Sequence, residues 1–375
     1  MKKLRVLIPQ GCRSDFGLSN PIIKRMKKKS FFELEILKLI PSNFLESYKI
    51  TEEKIVSFKP DLIFITGDRI EQMASSCASF MNNIFICHYF AGVLTDPLTN
   101  LDDIFRHNIS LMSEIQLVES TKCWENVLEL FYAVNKRSNC YIVGATHLED
   151  LEIDISLVPK HSYDLVLYNP TTLYKEDIVN IGRKRFYKNT IWIGPNPDPS
   201  FFDIKKASET RSFWCTPKGF KPNPILFKYY ENLPRPQFLG LLKWCSRFIT
   251  NSSSAIYEAP YFLKKDQIVM IGDRNKKRTP FVYKKTDKLA SEKIVDVLKK
   301  WWINGFKMKE INEICKDCNH LEKIEAIEGI SPLCGFALSL AHWQDAKKWP
   351  RNDFKSCPIK DLNYKEANDY YFGVF

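Results

Sequence analysis

The sequence predicts an α/β protein of the doubly wound type, built as two domains. Three observations predict it. The chain opens with a strand, a glycine-containing turn and a helix, which is the first unit of such a fold. Short apolar runs that end in glycine recur along the chain, as buried parallel strands do when they deliver a loop to a crevice. At 375 residues, with 45% hydrophobic residues, there is material for two ordinary cores.

Composition narrows the class. The apolar run near Met1 is too short for a signal peptide, and no stretch approaches a membrane span. Eleven cysteines without a secretory signal point to reduced thiols and a cytoplasmic location. Net charge is +11, but the lysines fall in short clusters such as 24–29 and 276–278. No nucleic-acid-binding pattern accompanies them, and attraction to a nucleotide diphosphate or to an anionic membrane surface fits the excess at least as well.

The elements follow in order. Leu4 to Pro9 is the first strand, and Pro21 sits in the first turn of the helix after it. The alternating run from Phe32 is a second strand, and residues 51–58 are helical. Lys59 to Asp68 is a strand ending in Gly67, with a helix beyond it through Met73. Asn83 to Gly92 is the next strand and turn. Asp102, Asp103, Arg106 and His107 then share one helical face. Residues 115–118 and 140–144 complete the first domain.

The second half repeats the logic. Strands begin at Tyr163 and Thr190, and the second runs into a proline-stiffened turn holding Asn196 and Asp198. A helix near Leu239 and a strand from Arg247 lead into Asn251-Ser-Ser-Ser-Ala-Ile-Tyr-Glu-Ala-Pro260. Ser252, Ser253 and Ser254 are N-cap types, and a helix start with hydroxyls and free N–H groups seats phosphate. Glu258, one turn on, can accept hydrogen bonds from a ribose diol. Ile271-Gly-Asp-Arg274 closes another short strand, and residues 286–302 form an amphipathic helix.

The signature at 251–260, with Gly272-Asp273-Arg274 after it, is similar to that of the UDP-N-acetylglucosamine 2-epimerases. Gly67-Asp-Arg-x-Glu71, Asp102-Asp-x-x-Arg-His107 and Gly11-x-Arg13 resemble further motifs of that family, closest to its hydrolysing, sialic-acid-pathway branch. The resemblance implies a GT-B-like fold, with two Rossmann-like domains and a ligand cleft between them. It implies domains at 1–160 (sugar side) and 161–302 (UDP side), with an extension at 303–375.

By the same resemblance, Asp68, Asp102 and Asp103 carry acid/base chemistry. Arg13, Ser252 and Ser253 hold the diphosphate, Glu258 holds the ribose, and Ser254 lies in the same substrate site. Arg69, Arg106, His107, Asn169, Asn196, Asp198, Asp273 and Arg274 line the substrate site. No cofactor is implied, and a homodimer is the family expectation. Two positions depart from the pattern. Val93 stands where the family has a glutamate, with Asp96 the nearest replacement, and Asn169 stands where it has a histidine. Valine moves no proton, and asparagine carries no charge. Two other readings share the nucleotide half of the site: a GT-B glycosyltransferase and a non-catalytic UDP-sugar binder. Cys315, Cys318 and His320 have zinc-ligand types, but no second Cys-x-x-Cys or His pair accompanies them, so no metal is expected.

Overall fold

The computed structural model describes residues 2–11, 13–40, 43–95, 101–136, 138–170, 189–195, 205, 227–278 and 288–314. Contacts divide the chain into a unit from Met1 to Asp296 and a second from Val297 to Phe375. The first unit holds both sheets.

Six strands form the first sheet: β1 (Leu4–Gln10), β2 (Phe32–Lys38), β3 (Leu62–Thr66), β4 (Phe85–Tyr89), β5 (Ile115–Val118) and β6 (Cys140–Ile142). Their order is β2-β1-β3-β4-β5-β6, and every pairing is parallel. The second sheet has β7 (Tyr163–Leu167), β8 (Asn189–Ile193), β9 (Phe227–Tyr230), β10 (Arg247–Thr250) and β11 (Ile268–Met270). Its order is β11-β10-β7-β8-β9, again all parallel. All-parallel strands are covered on both faces, so they read as continuous apolar runs. Accordingly β3 and β7 are buried at every residue.

In each sheet the strand order reverses once, between β1 and β3 and between β7 and β10. The chains leaving a sheet on either side of such a point diverge and open a crevice beyond the strand ends. The loops at these two reversals begin at Gly11 and Gly67 in the first half and at Tyr168 and Asn251 in the second.

Helices α1 (Arg13–Lys27), α2 (Phe44–Phe58), α3 (Ile70–Met81), α4 (Asp102–Met112) and α5 (Thr121–Ala133) cover the first sheet. Pro21 is not in a first turn. It lies in the body of α1, which starts at Arg13. Side chains brace the helix around it: Ser19 Oγ donates to the Asp15 carbonyl at 2.6 Å, and Gln10 Nε2 donates to Ser19 Oγ at 2.6 Å. Helix α2 begins at Phe44 because Asn43 caps it, accepting the Glu46 N–H at 3.1 Å.

The second sheet carries α6 (Arg235–Trp244) and two single turns, α7 (Ser254–Tyr257) and α8 (Ala259–Phe262). The helix expected from the serines is therefore one turn long. It breaks at Glu258, where Pro260 follows and has no N–H to continue the ladder. Helix α9 (Ala290–Ile314) starts against the first half. Arg25 Nη1 pairs with Glu292 Oε1 at 2.5 Å, and Arg25 Nε donates to Ser291 Oγ at 2.9 Å.

No helix among the described residues is long and apolar enough to cross a membrane. The described residues contain no cluster of three or more His, Cys, Asp or Glu side chains suited to a metal. Cys315, Cys318 and His320 lie outside them.

Candidate functional site

The two strand-order reversals face one cleft, which encloses about 1270 Å³ including its open mouth. Asp68, Arg69, Asp102 and Arg106 line it from the first half. Asn169, Ser252, Ser253, Ser254, Glu258 and Arg274 line it from the second.

Gly67 makes the turn after β3 at φ +79°, a conformation L side chains rarely adopt, and so aims Asp68 into the crevice. Its carbonyl is held by His88 Nε2 at 2.8 Å, while His88 Nδ1 meets Ser110 Oγ at 2.9 Å. The Nε2 proton must donate to the carbonyl, so Nδ1 accepts from the serine. Burial pulls His88 down to about 4, which keeps it neutral in that role.

Arg106 is buried and anchors this wall. It pairs with Asp68 Oδ2 and with Asp103 Oδ1, the latter at 3.0 Å, and it donates to the Val93 carbonyl. Burial, with help from Arg278, pulls its guanidinium down to about 9, so it stays a cation at neutral pH. Asp103 faces away from the cleft. It accepts the Thr95 N–H at 2.9 and 3.0 Å and the Thr95 hydroxyl at 2.7 Å, and so fastens the loop after Val93. His107 also faces elsewhere. Burial lowers its pKa, and its Nδ1 is buried with no hydrogen-bond partner among the described residues.

On the opposite wall the backbone N–H of Asn169 donates to Asn251 Oδ1 at 2.8 Å, and Asn251 Nδ2 returns a bond to the Asn169 carbonyl at 2.7 Å. This clasp joins the ends of β7 and β10. Ser252 is fixed through its N–H to Thr250 Oγ1 at 2.9 Å, and its hydroxyl bonds Ser254 Oγ at 3.2 Å. Glu258 Oε1 accepts Arg235 Nη1 at 2.7 Å. Burial alone would raise Glu258, but Arg235 and His147 outweigh it and hold the carboxyl below its ordinary range. Asp273 is exposed, and the cleft lining excludes it. Asp96, Asn196, Asp198 and the Arg13 side chain lie outside the described residues.

Residues 48–184, which contain Asp68, Asp102, Arg106 and Asn169, match the family model described as UDP-N-acetylglucosamine 2-epimerase. Over that stretch the chain is similar to the UDP-N-acetylglucosamine 2-epimerases. Polysialic acid biosynthesis protein P7 of Escherichia coli is 29% identical over 234 residues, which are 58% of this chain and 56% of that one. The chain thus spans little more than half the length of that relative. The GDP/UDP-N,N'-diacetylbacillosamine 2-epimerase (hydrolyzing) of Campylobacter jejuni is 28% identical over 291 residues, covering 70% of this chain and 71% of its own. The crystal structure of the Neisseria meningitidis UDP-GlcNAc 2-epimerase bound to UDP-GlcNAc shares the fold. Its TM-score is 0.60 at 16% identity, over 79% of this chain and 100% of that one.

The cleft is also lined by residues to which the motifs assign no role: Asp15, Phe90, His147, Arg235, Tyr257 and Arg278. Asp15 sits in the first strand–helix turn, where it accepts Gly11 N–H at 2.9 Å and Gln72 Nε2 at 3.0 Å. Burial, followed by the neighbouring Glu71 carboxylate, pushes it up to about 6. Phe90 is held at φ +71°, which costs an aromatic residue on the order of 1–3 kcal/mol and marks a strained turn at the site. His147 stacks on Tyr257 at 4.2 Å with the ring planes 5° apart. Position alone gave a signal for some of these. Tyr257 lies inside the 251–260 signature, and Asp15 lies in the turn that opens the fold.

Proposed function

We propose that this chain is a hydrolysing 2-epimerase acting on UDP-N-acetylglucosamine or a close relative, releasing UDP and an N-acetylmannosamine-type sugar. The observation that carries this is the meeting of Asp68 and Asp102 in one cleft with the serine turn and Arg274 opposite them. A base takes the C2 proton, the C1–O bond breaks, and UDP departs with the electron pair. Water then adds to the resulting glycal with the opposite stereochemistry at C2. Such a sequence calls for carboxylates with different proton affinities and for cations on the departing diphosphate. Asp68 and Asp102 are the carboxylates in this reading. Arg274, Ser252, Ser253 and Arg13 are the diphosphate ligands, and Glu258 binds the ribose. Asp103 and Arg106 set the position of Asp68. Homologues named for UDP-N-acetylglucosamine and diacetylbacillosamine epimerisation support the substrate class. A homodimer in the cytoplasm belongs to the same reading, as do domain limits of 1–160 and 161–302.

Proton NMR of UDP-N-acetylglucosamine with the protein in D2O tests it. The expected result is UDP together with free sugar deuterated at C2. Saturable UDP binding with no C2 exchange overturns the proposal for this substrate. It would favour the second reading, a glycosyltransferase that keeps the nucleotide wall. Val93 and Asn169 are the observations on that side, because neither can move a proton.

A further inference from the structure

We propose that Tyr257 and Glu119 form a proton relay that takes over the work of the carboxylate missing at Val93. The inference rests on the epimerase reading and deepens it.

Val93 is buried and apolar, and its carbonyl is committed to Arg106. The corner it occupies nonetheless contains a carboxylate. Glu119 follows directly on β5, and β5 is locked beside the turn that carries Val93. The N–H groups of Phe90 and Ala91 both donate to the Leu117 carbonyl, at 3.0 and 3.3 Å. A Cβ on Gly92 would lie 2.1 Å from the Cys123 carbonyl, so the two loops touch. A residue just past the C-terminal end of a parallel strand is where ligand chemistry gathers in this fold.

Glu119 is fully buried, yet only half of it is satisfied. Oε1 accepts the Tyr257 hydroxyl at 2.8 Å, while Oε2 has no hydrogen-bond partner among the described residues. Cys123 Sγ, at 3.8 Å from Oε1, is a weak neighbour. A carboxylate that served only to tie two loops together would be an expensive choice here. Burying it with an open oxygen costs more than an apolar contact of the same size.

Tyr257 connects this carboxylate to the cleft. It lines the cleft, and its ring is fixed flat against His147 and edge-on to Phe90 at 5.8 Å. The positive charges of Arg106 and Arg278 bear on Glu119, and the Nε of each arginine is buried without a partner among the described residues. Burial raises Glu119, and Tyr257 with the two guanidiniums draws it back, so it is a better proton acceptor than a free glutamate. Tyr257 itself is held far above its usual range and does not ionise, which is why a relay is needed.

The step balances as a concerted transfer. The C2–H bond of the sugar breaks and its proton goes to the Tyr257 oxygen. The tyrosine's own proton passes to Glu119 Oε1. The C2 electron pair forms the C1=C2 double bond as the C1–O bond breaks and UDP leaves with that pair. Tyr257 is the catalytic residue, and Glu119 acts through it.

The test compares wild type, Tyr257→Phe, Glu119→Gln and Glu119→Asp for release of UDP and C2-deuterated sugar in D2O across pH, with UDP binding as the check on folding. Phenylalanine and glutamine should each lower the rate about 100-fold or more, within the range of general acid–base effects, while UDP still binds. Aspartate should restore part of it. The wild-type rate should climb with pH above the ordinary glutamate range, and Glu119→Gln should lose that limb. If wild type deuterates C2 and either isosteric variant does so at the wild-type rate, the relay is wrong while the epimerase reading stands. If wild type itself releases no deuterated sugar, both fall.

Discussion

Arg274 Nη2 donates to Asp102 Oδ2 at 2.9 Å, joining side chains 172 positions apart in sequence from opposite walls of the cleft. Arg274 also reaches the Pro170 carbonyl at 3.0 Å. A cation suited to a diphosphate is thus held by a carboxylate suited to proton transfer. Asp102→Asn keeps the shape and removes the charge. It should cut the rate of C2 exchange by about 100-fold or more while leaving UDP binding intact or tighter, because Arg274 loses its ionic competitor. NMR exchange and calorimetric titration with UDP read the two effects separately.

Arg106 bonds both Asp68 and Asp103. Arg106→Ala leaves the buried Asp103 carboxylate uncompensated and Asp68 unheld. Removing one partner of a buried pair costs about 3–5 kcal/mol, and a urea unfolding curve should show a loss of that order. Arg106→Lys should recover only part, since one ammonium cannot reproduce the fork that reaches both aspartates and the Val93 carbonyl.

Gly92 has φ +71°, and a Cβ there would strike the Cys123 carbonyl and the Val127 side chain at 2.8 Å. Gly92→Ala should therefore destabilise by about 2–3 kcal/mol or more, from strain and overlap together. Gly67 also has positive φ but open space around it, so Gly67→Ala should cost only the conformational part. Melting temperatures of the two variants should fall in that order.

Asp15 gives a pH signature. Its folded pKa of about 6 lies above the ordinary 3.8, so the folded state holds the proton more tightly than the unfolded chain. Stability from this group is fully present below about pH 4 and is lost as pH rises through about 6. The shift corresponds to on the order of 2–3 kcal/mol. Asp15→Asn should match wild type near pH 4 and exceed it at pH 8 in urea midpoint. Equal midpoints at pH 8 would show that the carboxylate is compensated.

The fold was legible because parallel strands advertise themselves. Runs such as Leu62 to Thr66 are apolar at every position and stop at a glycine, and the turn chemistry then locates the crevice. Helix α5 is not among the elements the sequence predicts, although Cys123, Val127 and Phe131 recur every four residues on its buried face. Helix α1 starts before Pro21 rather than at it, against the rule that proline marks helix starts more often than helix interiors. In the site, Asp68, Asp102 and Glu258 could be named from local motifs. Their partners could not. Tyr257 finds Glu119 138 positions away, and Arg235 finds the His147 carbonyl 88 away, so only the crossing of two strand-order reversals brings them together.

The bonds that span the cleft have a thermochemical consequence. Arg274 to Asp102 and Arg235 to the His147 carbonyl already pair polar groups of the lining with one another. Uptake of a ligand that needs these groups is then a swap of partners. Its heat is the small difference between two similar sets of contacts, and affinity grows less than the contacts with the ligand would imply. A fragment offering too few acceptors, such as a free monosaccharide, cannot displace the resident pairs. The site thereby discriminates by the number of groups a ligand brings at once.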